Sequence, residues 1–134
     1  MTIKLSTGVR NARIGAVESA IGASAVLKIR TGTVPANITD ADSGTVLVSI
    51  TLPADWLGAA SAGVVTKLGT WQGTGAAAGT AGHFRIYAAD GTTQHMQGTV
   101  TITGGGGDMT LDNTSIAVSQ TVTISGFSLT DGNA

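Results

Sequence analysis

Cysteine is absent from this 134-residue chain. Its absence excludes thiolate nucleophiles, Cys-ligated zinc, thiol redox chemistry and disulfide staples, and it leaves the compartment open. No staple is required, because a chain of this length buries roughly two-thirds of the surface its unfolded form exposes. Charge is scarce as well: 11% of residues are Asp, Glu, Lys or Arg and the formal net charge is −1, where globular domains average about a quarter charged. The cations Lys4, Arg10, Arg13, Lys28, Arg30, Lys67 and Arg85 are scattered along the chain. They form no basic patch that could supply affinity for a phosphate backbone, so nucleic acid is not expected as a partner. No apolar run is long enough to cross a bilayer, and no membrane partner is expected. The start, "MTIKLSTGVRNARIGAVESAIG", interrupts its apolar residues with Arg10, Asn11, Arg13 and Glu18, unlike the continuous apolar core of a signal peptide. Aromatic residues make up only 4%, which makes each of them informative.

What the chain has in quantity is glycine, at 20 residues, with about as many threonines and many alanines. Threonine and valine suit pleated, half-buried surfaces and glycine punctuates turns, so the composition predicts short strands joined by tight loops. So little charge suits a surface that lies against other protein. One domain is expected, with an arm and helix at residues 1–22 and a β-sandwich over 23–134. The helix spans 8–21, with Val9, Ala16, Val17, Ala20 and Ile21 near one face, Thr7 as its cap and Gly22 as its end. Gly8 and Gly15 each lower its propensity by roughly 1 kcal/mol, so it needs docking on the domain or on a partner.

The remainder reads as β. Ala25, Leu27 and Ile29 alternate with Lys28 and Arg30 in one strand, and Val46, Val48, Ile50 and Leu52 share a face in the next. Residues 31–44 read as a polar connection of turn residues. "PADWLGAASAG" reads as one helical turn before the strand "VVTKLGTW", and residues 72–82 as a flexible glycine and alanine loop. The stretch "HFRIYAADGTTQHMQGTVTIT" forms a hairpin. A three-residue turn at Ala89–Gly91 pairs Phe84 with Met96 and puts Phe84, Ile86, Met96, Gly98, Val100 and Ile102 on the core side. His83, Arg85, Tyr87, His95 and Gln97 then project from the other face, Arg85 opposite His95, as a row open to solvent or a partner. Ile116, Val118, Val122 and Ile124 alternate in phase, and the apolar pattern resumes one residue out of step at Phe127 and Leu129, which predicts a bulge at Ser125–Gly126. The expected fold is all-β, an antiparallel two-sheet sandwich of jelly-roll type with one N-terminal helix; an immunoglobulin-like sandwich is the second choice.

Chemical motifs are weak. "GTGAAAG" and "TGGGGD" lack the Lys-Ser or Lys-Thr of a phosphate loop. "DADSG" spaces Asp40 and Asp42 like the start of a calcium loop, but Thr51 stands where the bidentate Glu belongs. Asp108, Asp112 and Asn113 read as turn formers. His95 as an acid or base needs an orienting carboxylate, but the local acid, Asp90, sits in the turn, and no Gly-x-Ser-x-Gly elbow is present, so no enzyme, cofactor or metal is expected.

Three stretches, "LKIRTGTVPANITDADSGTVLVSITLP", "GTAGHFRIYAADGTTQHMQGTVT" and "GGGGDMTLDNTSIAVSQTVTISGF", resemble small structural proteins encoded in tailed-phage and prophage morphogenesis clusters. The resemblance covers most of the chain. It implies a virion component, a capsid decoration or cement protein that docks on the outside of the head, present in the host cytoplasm during assembly. The implied partners are the major capsid protein and further copies of this chain, as a homodimer or homotrimer. A tail or neck component and a carbohydrate-binding sandwich module are the alternatives. The resemblance transfers no functional residues. Interface candidates therefore come from the residues themselves: Val9, Arg13, Val17 and Ile21 of the helix, then Trp56, Trp71, His83, Arg85, Tyr87 and His95.

Overall fold

The structure, a computed structural model, describes residues 3–132. Helix α1 runs Thr7–Ile21 and ends at Gly22, whose N–H donates to Glu18 O. The cap is Ser6 rather than Thr7: its hydroxyl accepts from Val9 N–H at 3.3 Å, so the helix starts one residue earlier than expected. Docking on the chain's own domain compensates for the weak propensity of its glycines. Glu18 Oε1 accepts from the N–H groups of Trp56 and Leu57, Asn11 Oδ1 accepts from Gly63 N–H at 2.7 Å, and Arg10 Nε donates to Asp131 O at 2.6 Å. Ile21 is buried, and Ile14 and Val17 pack against the core.

Nine strands follow: β1 Val26–Thr31, β2 Val46–Thr51, β3 Val64–Thr66, β4 Gln72–Thr74, β5 Gly79–Tyr87, β6 Gln94–Ile102, β7 Met109–Leu111, β8 Ser115–Ile116 and β9 Thr121–Thr130. They are hydrogen-bonded in the order β2-β1-β5-β6-β7-β9-β3, with β4 added on β9 and β8 on β5. The protein is thus mostly β with one N-terminal helix, as its composition predicts. The sheet is mixed and strongly curled. Phe84 of β5 meets Phe127 of β9 edge-on, ring centroids 5.9 Å apart, although β6 and β7 lie between their strands. On the far side Ala76 N–H donates to Leu47 O at 2.7 Å, joining the β2 edge to the chain just after β4.

Where an all-antiparallel arrangement is expected, β6 and β7 are parallel, with Val100 opposite Met109 and Ile102 opposite Leu111. Parallel neighbours ordinarily need a crossover of about a dozen residues or more, and here residues 103–108 make it. Four consecutive glycines allow this. Gly104 and Gly106 take φ of +84° and +82°, and Gly105 and Gly107 lie so close to Thr101 that a Cβ would come within 2.9 Å of its side chain.

Other expectations are corrected. Residues 54–63 form no helical turn: Ala62 and Gly63 adopt φ of +52° and +77° in a two-residue hairpin between Ser61 and Val64, and Glu18 takes the N–H groups of Trp56 and Leu57. Residues 72–82 are no flexible loop, since they hold β4 and the start of β5. Gly73 sits so tightly over Val48 and Ile50 that a Cβ would lie within 2.9 Å of both side chains, which marks a packed seam between the facing parts of the sheet. Val118 leaves the apolar phase because it lies in the 117–120 turn, and it is exposed. The bulge at Ser125–Gly126 is present. Thr110 pairs with Gly126 and Leu111 with Ile124, so Ser125 is the extra residue and Ile124 and Phe127 both face inward.

Candidate functional site

The hairpin β5–β6 decides which polar groups converge. Its register pairs Phe84 with Gly98, Ile86 with Met96 and Arg85 with Gln97, two residues away from the expected pairing, because the connection spans 88–93 instead of three residues. A shift of two preserves the faces. Phe84, Ile86, Gly98 and Val100 are buried and Met96 packs on the core, as expected, while Ile102 at the end of β6 is exposed. The Asp90 carboxylate holds the turn by accepting from Thr92 N–H, Thr93 N–H and the Thr93 hydroxyl, and these bonds push its pKa down.

The opposite face is not an open row. Residues 32–45 lie across it as a strap, and beneath the strap His83, Arg85 and Tyr87 are wholly buried. Arg85 crosses from β5 to the strap with every nitrogen engaged: Nε donates to Gln97 Oε1 at 3.0 Å, Nη1 to Asp40 O at 2.9 Å and Asp42 Oδ1 at 2.8 Å, and Nη2 to Asn37 O at 3.3 Å. Gln97 passes the connection on, donating to Pro35 O at 2.7 Å. Asp42 is the hub. Its Oδ1 also accepts from the Tyr87 hydroxyl at 2.7 Å, and its Oδ2 accepts from Arg30 Nη2 at 2.8 Å. Lys28 Nζ stands 4.7 Å from the centre of the Tyr87 ring and donates to Gly91 O.

Histidines do not complete a reactive group here. His83 donates from Nδ1 to Gly32 O at 3.0 Å, and its buried Nε2 has no partner among the described residues. His95 is exposed at the β6 irregularity, so the two imidazoles are not brought together. Asp42 accepts from two arginines and a tyrosine, and Arg85 gives its N–H groups to two main-chain carbonyls and to the side chains of Asp42 and Gln97, so both are committed to contacts within the chain. The chemistry of the cluster is that of a clamp: it satisfies the polar groups of both layers and pins the strap to the sheet.

The remaining candidates are divided by burial. Trp56 and Trp71 are fully buried, their rings 5.9 Å apart, and Trp71 continues to Phe127 at 5.3 Å, so both are core residues of this chain. Ile21 is buried and Val17 half-buried against the core, whereas Val9, Arg13 and His95 are exposed. Of the ten candidates these last three are exposed and Val17 is partly so; packing and the strap cover the other six. The Asp40 and Asp42 spacing serves the strap: Asp40 Oδ2 accepts from Asn37 N–H, and both Asp42 oxygens are held by Arg30, Arg85 and Tyr87.

Compared with known protein families, curated proteins and solved structures, the chain matches none. The site must therefore be interpreted from its own geometry.

Sequence reasoning missed Asp42, Gln97 and Asn37 as members of one site. The available signal was balance: alternation places Arg30, Arg85 and Lys28 on one face, and cations in such a row require a carboxylate from elsewhere if that face is covered.

Titration of the clamp has a definite sign. Burial alone raises the pKa of Asp42, but hydrogen bonds from Tyr87 and Arg85 and the charges of Arg30 and Arg85 outweigh it, and the net shift is down from 3.8. A depressed folded pKa contributes stability above the unfolded value, lost as pH falls through the folded one. Tyr87 is shifted up from 10.0, by burial first and by its bond to Asp42 second. Its contribution is complete below that value and is lost as pH rises past it. The clamp's share of the urea midpoint is therefore expected to be constant between the ordinary Asp and Tyr values, 3.8 and 10.0, and to be lost on both sides. Asp42→Asn flattens part of the acid fall, and Tyr87→Phe part of the alkaline fall. Identical profiles for wild type and both variants would remove the clamp's role.

Proposed function

We propose that the protein is a structural component of a tailed-phage virion, a decoration or cement protein bound to the outer surface of the head. One observation carries the structural side of this reading: where histidine, arginine, tyrosine and aspartate converge, the chain's own strap fills the space and takes up their hydrogen bonds. Groups of the kind that perform catalysis here hold a surface layer in place. The resemblance of three long stretches to morphogenesis-cluster proteins supplies the assignment to a virion.

Cementing requires shape and repetition. Each copy needs only a modest contact across neighbouring capsid subunits, and many copies on a symmetric shell add small energies into resistance to internal pressure. Symmetry axes of the shell favour closed dimers or trimers of the chain. The exposed Val9, Arg13 and His95 remain as contact candidates, and the major capsid protein is the partner. The curled sheet is in this view a variant of the jelly-roll-like sandwich, its facing halves joined through the parallel β6–β7 pair.

The test is sedimentation and electron microscopy of heads assembled with and without this chain. Added protein is expected to co-sediment to a saturating, symmetry-defined stoichiometry, to appear as density outside the shell, and to raise the temperature at which heads release DNA. Protein left in the supernatant, or density only on the tail or neck, overturns the assignment.

A further inference from the structure

The outer face of β9 carries an open groove of about 470 Å³. β7 and β3 lie on the two edges of β9 and set its walls. Thr66 and Lys67 come from the end of β3, Asp108 from the glycine connection before β7, and Thr110, Ser125 and Ser128 lie between them. These are outward positions, since their neighbours Val65, Met109, Leu111 and Ile124 are buried on the other face, while Phe127, itself buried, also borders the groove. Gly107 and Gly126 also line it, and a Cβ at Gly126 would come within 2.8 Å of Thr110 Oγ1 on the groove wall. The β9 bulge directs Ser125 into a hydroxyl group of three, 2.6 Å from Thr103 Oγ1 and 2.9 Å from Thr110 Oγ1. Bulges are over-represented where a strand must re-aim a side chain.

The chemistry of the lining narrows the class of ligand. Thr66 and Ser128 hydroxyls have no hydrogen bond among the described residues, and each hydroxyl can donate and accept. Lys67 Nζ uses one of its three donors on Gly69 O at 3.0 Å. Asp108 holds Thr99 through Oδ2, at 2.8 Å to both its N–H and its hydroxyl, while Oδ1 accepts nothing among the described residues. The bonds from Thr99 hold this carboxyl below its ordinary range, so it is an acceptor throughout the neutral range. One ammonium and one carboxylate cancel, which favours neither cations nor anions. Four ambivalent hydroxyls beside an exposed lining that is more than half apolar suit a ligand that carries both hydroxyls and C–H faces. A volume near 470 Å³ falls in the range of small-molecule sites, about 300–1,000 Å³.

We propose that this groove binds a neutral saccharide, Asp108 accepting from and Lys67 donating to its hydroxyls, with Thr66, Thr110, Ser125 and Ser128 completing the contacts. The site goes beyond the virion assignment and is independent of it. A particle-bound protein with this face outward would tether the particle to glycan.

The test is a titration of the full ¹⁵N-labelled chain with maltotriose, cellotriose and triacetylchitotriose, followed by amide shifts. Saturable shifts confined to residues 66–67, 107–110 and 125–128 are expected with at least one of them. Lys67→Ala and Ser128→Leu are each expected to weaken binding by about tenfold or more while leaving the melting temperature unchanged, and a double variant separates weakened binding from partial loss. Asp108 is not substituted because it also holds Thr99. No saturable shift with any of the three sugars overturns the proposal. So do shifts elsewhere on the surface, binding unaffected by both variants, or groove shifts with a Thr/Ser-rich peptide alone. Such a failure leaves the virion assignment standing, since that is read from sedimentation with heads.

Discussion

Arg85→Ala is expected to lower the urea midpoint by about 2 M, equivalent to roughly 3–5 kcal/mol at the slope usual for small domains. The side chain is fully buried and makes four hydrogen bonds, three of them to the strap. Its removal strips the main-chain carbonyls of Asn37 and Asp40 of a donor, and leaves the Gln97 side-chain oxygen and Asp42 short of one each. Removing one partner of a buried pair is costly because the group left behind stays desolvated. The loss is expected to be local as well as global. Limited proteolysis under native conditions should cut Arg85→Ala within residues 32–45 much faster than wild type. Arg85→Lys keeps the charge but cannot serve four acceptors with one ammonium, so it should lie between the two. An unchanged midpoint together with an uncut strap would show that the clamp contributes nothing to holding this layer.

The second large effect is expected at Trp71. Trp71→Ala should cost about 3–5 kcal/mol, seen as a fall in melting temperature on the order of 10 °C. The indole is fully buried between Trp56 and Phe127, and its Nε1–H donates to Leu68 O at 3.0 Å. Truncation opens a cavity at the centre of the chain of rings Trp56–Trp71–Phe127–Phe84, where the two halves of the curled sheet meet. Trp71→Phe keeps most of the volume and loses one hydrogen bond, so it should cost distinctly less. If alanine and phenylalanine are equally mild, the rings do not hold the curl together.

These two residues also show how far local pattern reaches. Alternation determined the strands. Leu27 and Ile29, Phe84 and Ile86, Val122 and Ile124 are apolar at every second position, and burying one face leaves a single phase for each strand. The change of phase at Phe127 was enough to place the bulge. Parity likewise placed Arg85 and Tyr87 on the face away from the core, which is where they lie, even though the turn is longer than its sequence suggests.

Whether that second face met water was another matter. Alternation reports which side of a strand a residue occupies and says nothing of what arrives to cover it, so the row at His83, Arg85 and Tyr87 reads as open to solvent or a partner. Asp42 lies 43 residues from Arg85 along the chain, and no short-range signal links the two. The same limit applies to the tryptophans, to the packed seam at Gly73 and to the parallel pair. Glycine reads as looseness in one dimension; in three it marks places where two segments approach too closely for a side chain.

The sequence alone therefore determined the class of the fold, the helix, most of the strands and the bulge, because these depend on backbone preference and on burying one face of each element. The tertiary structure decided the curl, the parallel connection, the burial of the aromatic rings and the conversion of a polar row into a clamp beneath the strap. Those depend on contacts between residues far apart in the chain, where geometry and charge balance, not local periodicity, select the partner.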